Sequence, residues 1–290
     1  MAARAADRTV GEFMCRYLEV VEKTATVLAV AERMRQCKVG SILVGIPGDP
    51  GQARSVEGIV TETDLVRRVV AREMPADKLA VDRIMTVPPL TIEAERSMLD
   101  ANQLMEQHRV RHLCVTENGQ ITGVISVRDL VRYFLPQDSG PLSELDDVHR
   151  PLGVLMRRSI ETIDERETML EAARRMADRH IGALLVTGGS DKGPLGIVTE
   201  SDLVRDVLPY NLGPRDVPIS TLATQPVITI DINRTVHDAN NLMAERSVRH
   251  LVVTEHGAIV GILSVRDLIR MISIRDRSRF LQEGSKGGKG

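Results

Sequence analysis

A hydroxyl side chain followed three positions later by an aspartate recurs four times in this chain. A carboxylate only accepts hydrogen bonds and can take two neighbouring hydroxyl groups, while the free amides at a helix start attract phosphate. The same spacing also caps a helix, because the hydroxyl and the acid can satisfy its first amides. Each copy is therefore either a sugar-phosphate site or a helix cap. The four pairs are Thr61/Asp64, Ser126/Asp129, Thr199/Asp202 and Ser264/Asp267.

Each pair lies in a ten-residue string that reads Gly, two apolar residues, Ser or Thr, two variable residues, Asp, Leu, a β-branched residue and Arg. This order is typical of a strand that runs directly into a helix. The four aspartates are separated by steps of 65, 73 and 65 residues. Repeats one and three are thus offset by 138 residues, as are repeats two and four, so the chain is a pair of pairs.

The segments ahead of each string follow a regular order. Apolar residues at helical spacing predict one helix per repeat, and an apolar run after it predicts a middle strand that turns back into the string. Three of the helices are expected to begin with a capping box, at Ser97/Asp100, Thr168/Glu171 and Thr235/Asp238. The predicted helices are 26–36, 97–107, 168–178 and 235–245, and the predicted middle strands are 39–44, 110–115, 181–186 and 248–253.

Each repeat therefore has the order β-α-β-β-α over about 60 residues, which is too short to bury a robust core alone, so the repeats are expected to pair. A Pro- and Gly-containing stretch separates the two halves, and the chain ends in a Gly/Lys-rich segment. The predicted organisation is repeat one at 9–72, repeat two at 80–135, a linker at 136–151, repeat three at 152–209, repeat four at 217–273 and a flexible basic tail at 274–290.

The composition excludes several classes of partner. With 42% apolar and 27% charged residues the chain is globular, but only 2% are aromatic and none is Trp, which leaves no platform for stacking nucleic-acid bases. A net charge of −2 provides no overall field for nucleic acid or an anionic membrane. No run reaches the roughly 18 apolar residues of a membrane span. The three cysteines lack paired spacing, which favours reduced thiols and a cytoplasmic location.

No pattern for catalysis or metal binding is found. His112, Ser126 and Asp129 lie close in sequence but without a strained nucleophile turn. The chain has neither H-E-x-x-H nor paired C-x-x-C spacing, and the Gly-rich loop 188–193 lacks the G-K-[ST] ending of a P-loop. We therefore expect a non-enzymatic protein without a metal site or a catalytic cofactor.

The four strings in their β-α-β-β-α setting resemble tandem cystathionine β-synthase (CBS) domains, regulatory repeats that pair into Bateman modules. The resemblance covers roughly residues 9 to 273. It implies an α/β fold of four CBS repeats in two Bateman modules, forming a disc-like pseudo-fourfold assembly similar to the γ subunit of AMP-activated protein kinase. It also implies clefts for AMP, ADP, ATP or S-adenosylmethionine, in which the eight Ser, Thr and Asp residues of the strings bind the ribose and the nucleotide.

The resemblance assigns further residues of the middle strand and the string. Phosphate contacts fall on Arg111, His112, Arg249 and His250, with Arg128 and Arg266 of the strings beside them, and polar cleft contacts fall on Thr86 and Thr224. The sequence departs from the family where a proline is usual; those positions hold Leu43, Cys114, Leu185 and Val252. Repeats one and three have Gly40-Ser41 and Gly182-Ala183 in place of the Arg-His pair. At the position of Thr86 and Thr224 they have Cys15 and Arg157. These two repeats either hold the ribose and borrow phosphate contacts, or hold nothing.

The leading hypothesis is a sensor that binds an adenine nucleotide and transmits occupancy to an unidentified regulated protein. The alternatives are a ligand-independent scaffold with degenerate clefts, or a sensor of S-adenosylmethionine or a dinucleotide. Assembly within one chain and a homodimer through the Bateman modules both fit the repeats.

Overall fold

The computed structural model describes residues 8–49, 53–134, 151–188 and 194–270. Within them lie four three-stranded sheets, one in each repeat. In every sheet the short first strand is parallel to the middle strand, which is antiparallel to the third. The strands are Val20–Val21, Ser41–Pro47 and Ala53–Thr61; Thr91–Glu93, His112–Glu117 and Gln120–Ser126; Thr162–Asp164, Ala183–Thr187 and Pro194–Thr199; and Thr229–Asp231, His250–Glu255 and Ala258–Ser264.

The first helix of each repeat follows the short strand. The helices are Val27–Cys37, Met98–His108, Met169–Arg179 and Val236–Glu245, close to the predicted bounds. Full capping boxes form at Ser97/Asp100 and Thr235/Asp238. The prediction of a third box is wrong: Thr168 accepts a hydrogen bond from the Glu171 amide, but the Glu171 carboxylate contacts Arg175 at 3.0 Å instead.

The middle strands begin two residues later than predicted. In repeat two, for example, the amide of Val110 donates to the carbonyl of Met105 and so still closes the helix end. The hairpins of repeats two and four turn through Asn118-Gly119 and His256-Gly257, all four with positive φ, which suits a tight two-residue hairpin.

The helix after each string differs between odd and even repeats. Repeat two has a regular α-helix, Val127–Phe134, and residues 265–270 are helical in repeat four. Repeats one and three have one α-turn, Glu62–Asp64 and Glu200–Asp202, then a π-helical stretch, Leu65–Val69 and Leu203–Val207, and a 3-10 turn, Val70–Arg72 and Leu208–Tyr210. The sequence pattern predicts only a helix here, and the π stretch is a finding of the structure.

The chain divides into two compact units that do not follow the order of the repeats. Of the described residues, the even unit comprises 8–15, 90–134, 151–159 and 228–270 and contains repeats two and four; the odd unit comprises 16–49, 53–89, 160–188 and 194–227 and contains repeats one and three. Each unit has one apolar core shared by its two repeats. The even core includes Met98, Leu113, Met243 and Leu251, and the odd core includes Met34, Val60, Met176 and Val198. The helix methionines are thus core residues.

The segment that opens each repeat packs on the sheet of a neighbouring repeat. Residue 15 bridges to Val124 of repeat two, and residue 86 bridges to Ile59 of repeat one. The second half repeats this exchange, because Arg157 bridges to Ile262 and Thr224 to Ile197. The leading glycine of the string permits the close approach: a Cβ on Gly58 or Gly261 would lie 2.7 Å from the sulfur of Met85 or Met156.

In the part of the chain that the structure describes, no helix has the length and apolar character needed to cross a membrane. The predicted linker, apart from Pro151, and the predicted tail lie outside the described residues, as does most of the Gly-rich loop 188–193.

Candidate functional site

All four hydroxyl–aspartate pairs stand where the third strand ends and the helix begins. The hydroxyl donates to the aspartate Oδ2 at 2.7 Å in Thr61/Asp64, 2.6 Å in Ser126/Asp129, 2.9 Å in Thr199/Asp202 and 2.5 Å in Ser264/Asp267. The backbone amide of the Ser or Thr donates to the same oxygen at 2.7 to 3.0 Å. Capping is therefore realised in every string, and it uses one carboxylate oxygen.

In repeats one, two and four the other carboxylate oxygen, Oδ1, lies near an arginine. Asp64 Oδ1 lies 3.3 Å from Nε of Arg68, and Asp129 Oδ1 lies 4.0 Å from Nη1 of Arg132. Both arginines are on the same helix as their aspartate. Asp267 differs, because its Oδ1 lies 3.3 Å from Nε of Arg157, which comes from the opening segment of repeat three. A ligand hydroxyl would have to share Oδ1 with these cations.

The basic pair of the even repeats lies beside the string of its own repeat. His112 is the register partner of Ser126, and His250 is the partner of Ser264. The backbone amide of Val127, the residue after Ser126, donates to the carbonyl of Arg111 at 3.0 Å. The amide of Val265, the residue after Ser264, donates in the same way to the carbonyl of Arg249 at 3.0 Å. The structure thus brings the predicted ribose-binding and phosphate-binding residues of repeats two and four together, within each repeat.

Four arginines surround His250 in the even unit. Burial, together with the positive charges of Arg249, Arg111, Arg157 and Arg266, lowers the pKa of the His250 imidazole from 6.5 to about 3. The imidazole is therefore neutral at pH 7, and four arginines act on it, one of which, Arg157, also contacts Asp267. We refer to His250 and these arginines, which come from both even repeats and from the opening segment of repeat three, as the even-unit basic cluster.

The last residue of each opening segment packs on the sheet of a different repeat from its own. Thr86 and Thr224 were matched in sequence to repeats two and four, but their backbones pair with Ile59 and Ile197 in the sheets of the odd repeats. Cys15 and Arg157 occupy the equivalent places in the even unit, with the Arg157 amide 2.9 Å from the Ile262 carbonyl. The predicted threonine contacts therefore lie in the odd unit, in the same sheets as Thr61/Asp64 and Thr199/Asp202.

Sequence reasoning missed two sets of residues. Arg157 was read as a departure from the family pattern, but it joins the even-unit basic cluster. Glu62 and Glu200 occupy a position that the string leaves variable, and both are 2% exposed. A signal was available in the sequence, since the two variable residues are Glu with Thr or Ser in the odd repeats and Val-Arg in the even repeats.

The described residues that could ligate a metal, and the three cysteines, bear on whether the protein has a metal site or a reactive thiol. Among the described residues no group of three or more His, Cys, Asp or Glu side chains is arranged to hold a metal ion. Cys114 is buried, and burial raises the pKa of its thiol to about 12. Cys15 is exposed.

A model of the CBS domain family matches residues 10–71, 81–136, 151–208 and 219–274. The chain belongs to the CBS domain family. Each match contains one hydroxyl–aspartate string, so the resemblance noted from the strings is confirmed for all four repeats, as is the mixed α/β fold.

Curated relatives share the CBS repeats over part of their own length. An uncharacterized protein of Methanopyrus kandleri is 32% identical over 121 residues, covering 41% of this chain and 61% of the relative. The CBS domain-containing protein CBSCBSPB1 of Arabidopsis thaliana is 23% identical over 292 residues, covering 89% of this chain and 52% of the relative. The chain thus spans between about half and three fifths of the length of these relatives.

A solved structure has the same fold over nearly the whole chain. The crystal structure of a protein from Methanocaldococcus jannaschii, described as a proposed archaeal homologue of the γ subunit of AMPK, matches with a TM-score of 0.74 and 18% identity. The match covers 90% of this chain and 99% of that one. At this identity the likeness establishes the fold alone.

Proposed function

We propose that this CBS-domain protein is a non-catalytic regulator that binds an adenine nucleotide, AMP, ADP or ATP, and transmits occupancy to a partner protein. The observation that carries the proposal is the register of the even sheets, where an Arg-His pair adjoins a Ser-Asp string in each repeat. A carboxylate for hydroxyl groups and guanidinium groups for phosphate are the two halves of a sugar-phosphate site.

The charge of the even-unit basic cluster supports phosphate as the bound group. A guanidinium presents fixed donors that suit phosphate oxygens. Repulsion among cations also contributes to keeping His250 neutral, and an anion placed among them would relieve it. The ligand class that this cluster favours is therefore an anion, which argues for a phosphorylated adenosine rather than cationic S-adenosylmethionine.

The odd repeats have the ribose half of such a site without the phosphate half. Thr61/Asp64 and Thr199/Asp202 are intact, and Thr86 and Thr224 lie on the neighbouring strand edge. Gly40-Ser41 and Gly182-Ala183 provide no cation at the position of the Arg-His pair. We therefore expect the even repeats to dominate nucleotide binding.

The proposal is tested by substituting the string aspartates with a matched control. Asp129→Ala plus Asp267→Ala should lower nucleotide affinity at least tenfold in isothermal titration. Both substitutions also remove a carboxylate that accepts the backbone amide at a helix start, so the control is Asp100→Ala plus Asp238→Ala, which removes the equivalent carboxylate from the first helix of the same two repeats. Equal affinities in the two double variants would refute the assignment.

A ligand-independent scaffold is the second candidate, and one observation favours it. Every string already satisfies its own hydroxyl and aspartate in a cap, and Asp267 is further paired with Arg157. Such a protein would bind its partner without nucleotide. A partner complex that forms equally well with the nucleotide-free protein and with the saturated protein would support this function, and strict dependence on nucleotide would remove it.

A further inference from the structure

The two variable positions of the string divide the repeats into two chemical types. In the even repeats they hold Val127-Arg128 and Val265-Arg266, and the valines pack against the even core. In the odd repeats they hold Glu62-Thr63 and Glu200-Ser201, and both glutamates are nearly fully buried. We call these the valine type and the acid type.

The acid-type residues of repeats one and three contact each other across the odd unit. The Thr63 hydroxyl donates to Oε2 of Glu200 at 3.0 Å, and the Ser201 hydroxyl donates to Oε1 of Glu62 at 2.9 Å. The contacts are reciprocal, since each repeat supplies one acid and one hydroxyl to the other. A buried carboxylate needs such donors, because burial removes its water.

An arginine completes the contact. Nη2 of Arg205 lies 2.7 Å from Oε1 of Glu62, and its side chain is only 19% exposed. Its counterpart in repeat one, Arg67, lies with Nη1 3.2 Å from Nδ1 of His180 in repeat three. Both arginines stand in the π-helical stretch, which only the odd repeats have among the described helices that follow the strings. In the regular helix of repeat two the matching Arg132 is 81% exposed.

A mixed pair of repeats would leave these groups without their partners. If repeat three faced a valine-type repeat, Arg205 and the Ser201 hydroxyl would meet a valine in place of Glu62. Glu200 would meet an arginine, which is far larger than the hydroxyl side chain that it now contacts. Leaving a buried charge unpaired is among the costliest changes that an interface can suffer.

We propose that the two variable positions determine which repeats can pair. An acid-type repeat docks on an acid-type repeat and a valine-type repeat on a valine-type repeat, within this chain and in any assembly that pairs repeats of two copies. This pairing rule does not depend on the nucleotide that the protein binds, and it accounts for the grouping of repeats one with three and two with four.

The rule is tested in the full chain by changing one repeat and then both. Glu62→Val with Thr63→Arg converts repeat one alone and should raise the unfolding equilibrium constant on the order of 10²-fold to 10³-fold. Adding Glu200→Val with Ser201→Arg converts both repeats, and Arg205→Ala is added because this guanidinium has lost Glu62; this variant should recover at least tenfold of that loss. If the effects of the two conversions simply multiply, the rule is wrong.

A surface ion pair serves as the matched control. Glu73 contacts Arg174 of repeat three and Arg215 of the stretch that follows repeat three, and all three side chains lie at the surface, so Glu73→Gln should change the constant by less than about fivefold. If the chain with one converted repeat does not fold, the milder Glu62→Gln and Ser201→Ala replace it in a double-mutant cycle. Non-additive costs then support the contact between repeats, and additive costs overturn it.

Discussion

Protonation of His250 should make the protein less stable in mild acid. The folded-state pKa is about 3, below the ordinary value of 6.5, because of burial and the four nearby arginines. Between these two values the unfolded chain binds a proton that the folded chain does not, so stability is present above pH 6.5 and is lost as the pH falls. Lowering the pH from 7 to 5 should cost about 1 to 2 kcal/mol, since each full pH unit in this window is worth about 1.4 kcal/mol.

Urea unfolding at pH 5, 6 and 7 measures this loss. His250→Asn removes the titrating group, so the variant should lose less stability than the wild-type protein over the same range by the stated 1 to 2 kcal/mol. His256→Asn is the control, because His256 is an exposed hairpin residue whose counterpart in repeat two is Asn118. If the wild-type and His250→Asn proteins lose equal stability between pH 7 and 5, the account of the basic cluster is refuted.

The His250 imidazole also couples nucleotide binding to proton uptake. A phosphate among the arginines would raise the pKa of His250, so nucleotide binding near pH 5 to 6 should take up a proton. Titration calorimetry in two buffers of different ionisation enthalpy measures that uptake. The terminal phosphate of the nucleotide also titrates at about pH 6, so the comparison is with His250→Asn: equal proton uptake by the two proteins at pH 5.5 would place the phosphate away from His250.

Three further expectations concern single residues. Arg157→Cys places on the sheet of repeat four the residue type that Cys15 places on the sheet of repeat two, and it should weaken ATP binding about fivefold to tenfold more than AMP binding in titrations, because the lost cation meets fewer charges on a monophosphate; an equal effect on both would contradict a phosphate contact. Gly261→Ala would bring a Cβ within 2.7 Å of the Met156 sulfur and 2.9 Å of the Arg157 carbonyl, so it should destabilise the fold by about 1 to 3 kcal/mol in urea unfolding, more than Gly153→Ala, where the nearest atom is Cδ1 at the end of the Ile232 side chain, 3.2 Å away. A thiol reagent at pH 8 should modify exposed Cys15 in the native protein, while buried Cys114 should react only after unfolding; rapid native labelling of Cys114 in peptide mass spectra would contradict its burial.

The repeated elements could be predicted because their signals are local. Helical spacing and capping residues place the first helices within a residue of their observed bounds, as at Met98–His108 and Val236–Glu245. The string itself predicts a strand followed by a helix start, and all four have this structure. Family membership follows from the same local pattern, four times repeated.

The tertiary arrangement could not be predicted from such signals. The exchange of opening segments pairs Thr86 with Ile59 and Arg157 with Ile262, and these contacts join stretches that no local pattern connects. The role of Glu62 and Glu200 depends on the repeat that faces them, so a single string gives no sign of it. The difference between the acid type and the valine type can be recognised only when the strings of the odd repeats are compared with those of the even repeats.

The most direct measurement is titration of the nucleotide-free protein with AMP, ADP, ATP and S-adenosylmethionine, after heat release of any carried-over ligand and its identification by mass spectrometry. The account predicts saturable binding of a phosphorylated adenosine, preferred over S-adenosylmethionine, with a stoichiometry set by the even repeats. If none of these four ligands binds and no nucleotide is released, the proposed sensor function is contradicted and the ligand-independent scaffold remains as the candidate function.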